Sequence, residues 1–350
     1  MKRKLLPSLV AATVLSLSAN ALAAGNIDAE LQALKQRIAE LEAQQATQQA
    51  HNANQEENWS ERINVSGTAE FLATATDANG EDSNDIDVDT VELTIDAQVN
   101  DFIAVSTTLK YEDDPEGDDD FAVDEAIVVV GTQDSPLTLT AGKTGIPFAV
   151  INGGSWTDPL TDDFTDNTDD VAIISASNAG LNADLYLFKG DQENDSTTDN
   201  FGANLGYEMD SGLALGAGYL NNIGNTEPFG SSEKVSAWRL NAAFELDALA
   251  LSAEYIQADS FDSQGGAEPS VAHLSADYGL DNVFGAPGNL SFGYSETDEA
   301  AFMDLSEERT VLGLSRELGE NAEVIVEYVR EEGYADEESD TLNVVLATSF

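Results

Sequence analysis

The chain has 350 residues, no cysteine, 14 basic against 66 acidic side chains and a formal charge of −52. The missing cysteines exclude disulfides, thiol catalysis and Cys-ligated metal centres, and the negative charge makes nucleic acid and anionic surfaces poor partners. Past the N-terminus no apolar run reaches the roughly 20 residues of a helical membrane span, so a membrane location would require a closed sheet.

Lys2, Arg3 and Lys4 precede an apolar run from Leu5 to Leu17 and then Ala21-Leu22-Ala23. This is the three-part pattern of a secretory signal with a small-residue cleavage site, so residues 1–23 read as a signal peptide and the mature chain as starting at Ala24. Cleavage removes three basic residues and leaves 11 against 66 acidic, a charge of −55. Cations, divalent ions or a saline medium are the natural counterparts of such a chain, through either ion selection or the solubility of acidic loops.

Ile27, Leu31, Leu34, Ile38 and Leu41 recur at spacings of four and three among Glu, Gln, Lys and Arg. The stripe predicts a periplasmic coiled-coil helix over 24–50. Two to three heptads are marginal alone in water, so the helix needs either self-association, as a homotrimer would provide, or packing on the floor of the following domain. The polar, Gln- and Asn-rich stretch after it reads as a linker ending at 61.

From Arg62 the period changes to 2 and stays there. Ile63, Val65, Gly67, Ala69 and Phe71 alternate with Asn64, Ser66, Thr68 and Glu70, and Val91 to Val99 alternates with Glu92, Thr94, Asp96 and Gln98. Similar segments recur to Leu342–Phe350, about 16 in all. They predict an all-β fold over 62–350, a transmembrane antiparallel up-and-down β-barrel. Short turns are expected at Asn100-Asp101, Gln133 to Pro136, Asn178 to Gly180, Asp210 to Gly212, Asp247-Ala248 and Gly319 to Asn321. Long acidic loops are expected between them, at Asp77 to Asp87, Glu112 to Asp120, Ile146 to Asp169, Gly190 to Asp199, Asn221 to Glu233, Asp259 to Glu268, Glu296 to Glu308 and Glu331 to Asp340. Short periplasmic turns against long outer loops fit an outer membrane barrel. The connection from Asp281 to Gly288 is too long for this rule. The terminal Phe350 resembles the C-terminal signal that such barrels present to the barrel assembly machinery.

Charged residues take the face opposite the apolar row. Glu70, Glu92, Asp96, Lys110, Asp184, Arg239, Glu245, Glu254, Glu323 and Glu327, with His273, are therefore the expected pore lining, since charge near the lipid midplane costs ~2–4 kcal/mol for Arg or Lys. Tyr111, Tyr219, Tyr255, Tyr278, Tyr294 and Tyr328 fall near strand ends, as interface girdles against membrane lipid do. The longest loop, the third on the outer side, resembles in place the loop that folds into the barrel of 16-stranded porins, a resemblance that implies an inward fold with Trp156, Asp158, Asp162, Asp163, Phe164 and Asp166 at a constriction.

Enzymatic chemistry finds little support. His51 and His273 are the only histidines, no nucleophile–base set can be assembled, and no cofactor motif occurs. Asp85, Asp87 and Asp89, and the acidic run from Asp113 to Asp120, are oxygen-rich enough for Ca²⁺ but lack the EF-hand spacing. A barrel whose acidic loops bind ions or partners is thus the alternative to a channel.

The mature chain resembles the LbtU-like siderophore porin family. The resemblance is carried by Ile63-Asn64-Val65-Ser66-Gly67, by Ala141-Gly142-Lys143-Thr144-Gly145-Ile146-Pro147-Phe148 and by the Val171 to Ala176 strand, and the DcaP-like porins share the layout. It implies a trimeric outer membrane porin that takes up an iron–siderophore chelate. Fewer than 40 residues separate Ala24 from the first strand, too few for a plug domain, so such transport would be passive diffusion of a small solute.

Overall fold

The computed structural model describes Arg37 and residues 62–350, apart from 113–120, 133–134, 149–152, 166, 191–197, 227 and 336. The coil residues Ile27, Leu31, Leu34, Ile38 and Leu41 lie outside the described residues, as do His51, Asp166 and the acidic run 113–120. Residues 62–350 form one compact unit.

Sixteen antiparallel strands close into a barrel in which each strand pairs with its sequence neighbours and β1 pairs with β16. They are β1 Ile63–Ala78, β2 Glu81–Asn100, β3 Ile103–Glu112, β4 Ala122–Val130, β5 Leu137–Gly145, β6 Thr168–Asn178, β7 Leu181–Phe188 and β8 Asn200–Glu208. The second half comprises β9 Leu213–Leu220, β10 Ala237–Leu246, β11 Leu249–Ala258, β12 Ser270–Val283, β13 Ala286–Asp298, β14 Glu308–Gly319, β15 Ala322–Glu332 and β16 Glu338–Ser349. The seam is completed by Gly67 and Phe350, whose backbone N–H groups donate to each other's carbonyls at 3.2 and 3.1 Å. Closure leaves no unpaired edge, which a sheet immersed in hydrocarbon requires.

The expected loop between Asp77 and Asp87 is instead a long hairpin. Strands β1 and β2 pair from Ala78↔Glu81 downward, and only Asn79 (φ 55°) and Gly80 (φ 85°) turn the chain. Asn-Gly supplies the two positive φ angles of a type I′ turn, a signal that outweighs the acidic composition around it. Asp85, Asp87 and Asp89 consequently lie along β2 and do not form a loop. Loop 8 is likewise shorter than expected, because β15 runs to Glu332 and β16 starts at Glu338. The long Asp281–Gly288 connection also resolves into strand: Leu280 pairs with Gly288, Val283 with Ala286, and Phe284-Gly285 make the turn.

The barrel holds an apolar core that the alternation does not announce. Val171, Tyr186, Phe188, Leu220, Ala237, Ile256 and Val271 of the wall pack with loop residues Ile146, Phe148, Leu160, Phe164, Ile223, Val235, Phe261 and Ala300. Phe229 stacks on Phe261 with ring centres 5.2 Å apart, and Phe164 meets Phe229 edge-on at 5.1 Å. Tyr334 Oη closes the arrangement through Thr297 Oγ1 at 2.8 Å and the Ala300 N–H at 3.1 Å. Outer loops 3, 5, 6, 7 and 8 thereby share one core, in which each large buried side chain contributes ~1.5–3 kcal/mol.

Candidate constriction and lumen

Register fixes which residues share a face, because directly paired residues point the same way and neighbours alternate. Glu327 pairs with Gly313, Gly313 with Ser291, Ser291 with Asp277, Asp277 with Ala250 and Ala250 with Glu245. Glu254 pairs with His273 on one side and Asn241 on the other, and Asp184 pairs with Asn204, which pairs with Gly218 and so with Arg239. Glu70 pairs with Ala347, which pairs with Glu323, and Glu92 pairs with Lys110. Asp96 shares the face of Glu92, two residues on. The opposite face displays exposed Leu240, Leu274, Phe292, Leu312, Val326 and Leu346.

The described residues of outer loop 3, 146–148, 153–165 and 167, run across the charged face and so lie inside the barrel. Asn204 Nδ2 donates to the Pro147 carbonyl, and the Gly154 N–H donates to Asp277 Oδ2 at 3.1 Å. Its tip is held by two carboxylates. Glu327 receives the N–H groups of Trp156 and Thr157 at 2.5 and 2.8 Å, while the Trp156 indole donates to Glu70 Oε2 at 2.7 Å. Opposite Glu327, Gly313 leaves the room: a Cβ there would stand 2.2 Å from Ser291 Oγ and 2.9 Å from Glu327 Oε1.

A short helix, α1 Leu160–Thr165, follows the tip. The Leu160 N–H donates to Ser295 Oγ at 3.2 Å, and the same hydroxyl lies 2.9 Å from His273 Nδ1. Arg309 reaches from β14 to Asp163 Oδ2 and Glu331 Oε1, both at 2.7 Å, and to the Asp158 carbonyl at 2.9 Å. Below the tip, a cavity of about 800 Å³ is lined by Glu70, Glu317, Glu320 and Glu323 together with Thr68 and Ala347.

These contacts divide the expected site residues. Glu70, Glu92, Asp96, Lys110, Asp184 and Glu323 are partly exposed on the inner face, and Glu245 is exposed. Arg239, Glu254, His273 and Glu327 share that face but are only 4, 3, 2 and 0% exposed, so they do not present wet surface as expected. Loop 3 covers Glu327 and reaches His273 through Ser295, while Arg239 and Glu254 pair with each other at 3.5 Å. In the loop, Asp158 is exposed and Trp156, Asp162 and Asp163 are partly so. Phe164 departs from its expected place at the constriction: it is fully buried among the loop aromatics. Among the described residues no group of three or more His, Asp or Glu side chains has the geometry to hold a metal ion.

The sequence profile of the Gram-negative porin family matches residues 9–335. The chain belongs to that family. This porin resides in the outer membrane and forms a channel there, and its barrel is similar to those of solved porins. The OmpF complex with daunomycin from Salmonella typhi has a TM-score of 0.62 at 16% identity, covering 82% of this chain and 97% of that one. DcaP of Acinetobacter baumannii has 0.61 at 10% identity, with 82% and 97% covered. An anion-selective porin from Comamonas acidovorans has 0.59 at 13% identity, with 82% and 99% covered. No curated protein matches the sequence.

Two residues of the porin's inner arrangement escaped the sequence reading: Arg309 and Ser295. Arg309 falls in a segment of imperfect alternation, and Ser295 carries no charge to draw notice.

Proposed function

We propose that this porin is a passive, cation-favouring diffusion channel, without enzymatic activity, that works as a homotrimer. The supporting observation is the pairing of its inner cations. The basic side chains on the inner face of the strands are Lys110, Arg239 and Arg309. Each is engaged by carboxylate: Lys110 with Glu112 at 3.2 Å, Arg239 with Glu254, and Arg309 with Asp163 and Glu331. No described basic residue forms an ion pair with Glu92, Asp96, Asp184, Glu245 or Glu323. A narrow low-dielectric passage with this surplus focuses a negative potential and enriches cations.

Reversal potentials across planar bilayers under a KCl gradient test the reading. A cation-directed potential is expected, shrinking at high salt as the screening length falls from about 10 Å at 0.1 M to 3 Å at 1 M. An anion-directed potential in the unaltered protein overturns it.

The family resemblance adds a solute, an iron–siderophore chelate. The same carboxylate surplus favours a chelate with net positive charge over an anionic carboxylate siderophore, which the passage would repel. Self-association is supported by the placement of aromatic residues as well as by the predicted coil. Outward-facing Tyr207, Tyr219, Trp238, Tyr255, Tyr278, Tyr294 and Tyr328 belong to β8–β15, whereas on the strands from β16 through β1 to β7 Tyr111 alone faces outward, Tyr186 being buried on the inner side. Tyr and Trp mark surfaces that meet the membrane–water interface, so the poorer wall suits contact with other copies.

A further inference from the structure

The outer wall bears a groove that the channel reading does not use. It spans β10, β11 and β12 and encloses about 430 Å³. Ala242, Ala253 and Ala272 line it with Leu240, Leu274 and Tyr255, and Asn241, Glu254 and His273 of the inner-facing rows complete the lining. Leu240 and Leu274 are 52 and 54% exposed, as ridges would be. Ala242 pairs with Ala253 and Tyr255 with Ala272, one residue out of phase with the inner pairs Asn241↔Glu254 and Glu254↔His273. The groove therefore opens away from the lumen.

A wall of an outer membrane barrel meets lipid, and this groove continues that established surface. Its place in the wall separates lipid from protein as the occupant. Trp238 and Tyr255, with ring centres 5.3 Å apart, lie toward its outer end, and Tyr219 and Tyr294 occupy the adjoining strands β9 and β13. Tyr255 Oη donates to Gln257 Oε1 at 2.7 Å, which turns its polar tip toward the outer rim. Rings in such a belt sit at headgroup level with their polar tips wet, and packing a second barrel on them would remove that water. A hollow beside apolar ridges also forfeits dispersion contacts unless hydrocarbon fills it.

We propose that this groove seats one acyl chain of an outer-leaflet lipid, headgroup beside Trp238 and Tyr255, as a bound lipid distinct from the freely exchanging annulus. The proposal rests on the membrane location alone and stands or falls apart from ion selectivity. Ala242→Leu with Ala253→Leu would fill the groove without adding polarity or touching the inner face.

Native mass spectrometry of the full-length protein, released from detergent after reconstitution with a phospholipid of known mass, reads occupancy directly. One retained lipid per barrel is expected for wild type, with at least a fivefold loss of the lipid-bound population in the double Leu variant. A second readout is quenching of Trp238, in a Trp59→Phe/Trp156→Phe background, by phospholipid with brominated acyl chains. Wild type should quench at lower mole fraction than the groove-filled protein. Heat-modifiable gel mobility shows that both are folded. Equal lipid retention and equal quenching in the two proteins overturn the proposal. So does disulfide cross-linking between barrels through Ala253→Cys, which would make the occupant a second copy of the chain.

Discussion

The carboxylate of Glu327 accepts the backbone N–H groups of Trp156 and Thr157, 171 and 170 residues away in sequence, while wholly withdrawn from solvent. Hydrogen bonds to a charged group contribute ~1.5–3 kcal/mol, so this one residue decides where the tip of loop 3 rests. Glu327→Gln keeps the size but offers one acceptor oxygen where two were used. We expect the variant to fold, to show greater open-channel current noise and to change single-channel conductance by up to about twofold. Conductance and noise identical to wild type in single-channel recordings would show that the tip is held by other contacts.

Asp163 and Asp158 should differ in their effects although each carries one charge. Asp163 bonds Arg309 at 2.7 Å, so Asp163→Asn removes a carboxylate and also leaves Glu331 as the one carboxylate paired with the guanidinium. Asp158 is exposed and its carbonyl accepts a hydrogen bond from Arg309, which Asp158→Asn preserves. Reversal potentials should move toward anions in both variants, and further in Asp163→Asn. An equal shift would mean that Arg309 does not feel the passage.

Burial separates stability from selectivity among the inner carboxylates. Glu254 and Arg239 side chains are 0 and 5% exposed and face each other. Glu254→Gln strands a buried guanidinium, which costs ~3–5 kcal/mol and should lower the temperature of heat modification by several degrees. Glu92→Gln alters a partly exposed residue and should leave that temperature unchanged while weakening cation preference. The comparison is made by gel shift over a temperature series.

Gly67 should matter as much as Phe350 at the seam. Ring atoms of Phe350 lie 2.7 Å from where a Cβ of Gly67 would stand, so the terminal ring covers a position that no side chain can share. Deletion of Phe350 and Gly67→Val should both reduce the yield of heat-modifiable barrel. Full assembly of Gly67→Val, measured by the same gel, would show that the ring moves aside at little cost.

The predicted coil is tested by Leu34→Asp with Ile38→Asp. Unpaired charge in a packed helical seam is costly, so the trimer should dissociate at lower temperature or detergent concentration. Light scattering in mild detergent reads the assembly, and a monomeric wild type would end the idea.

The sequence by itself determined the barrel, because side chains alternating at period 2 sort lipid from water one residue at a time. That local rule was enough for sixteen strands and for the short turns at Asp247-Ala248 and Gly319 to Asn321. It misjudged Asp77 to Asp87, where acidity suggested a loop and Asn79-Gly80 made a hairpin. Only the tertiary structure decided which inner charges meet water. Glu327 and Glu92 read alike in the strand pattern, yet one is wholly buried beneath loop 3 and the other is partly exposed. The difference comes from contacts such as Trp156 with Glu70 and Arg309 with Asp163, which span 86 and 146 residues. Alternation along a strand carries no information about what will be folded over it. Phe229, Phe261 and Phe302 show the same limit: acidic loops appeared solvated until their aromatic residues were brought together inside the barrel mouth.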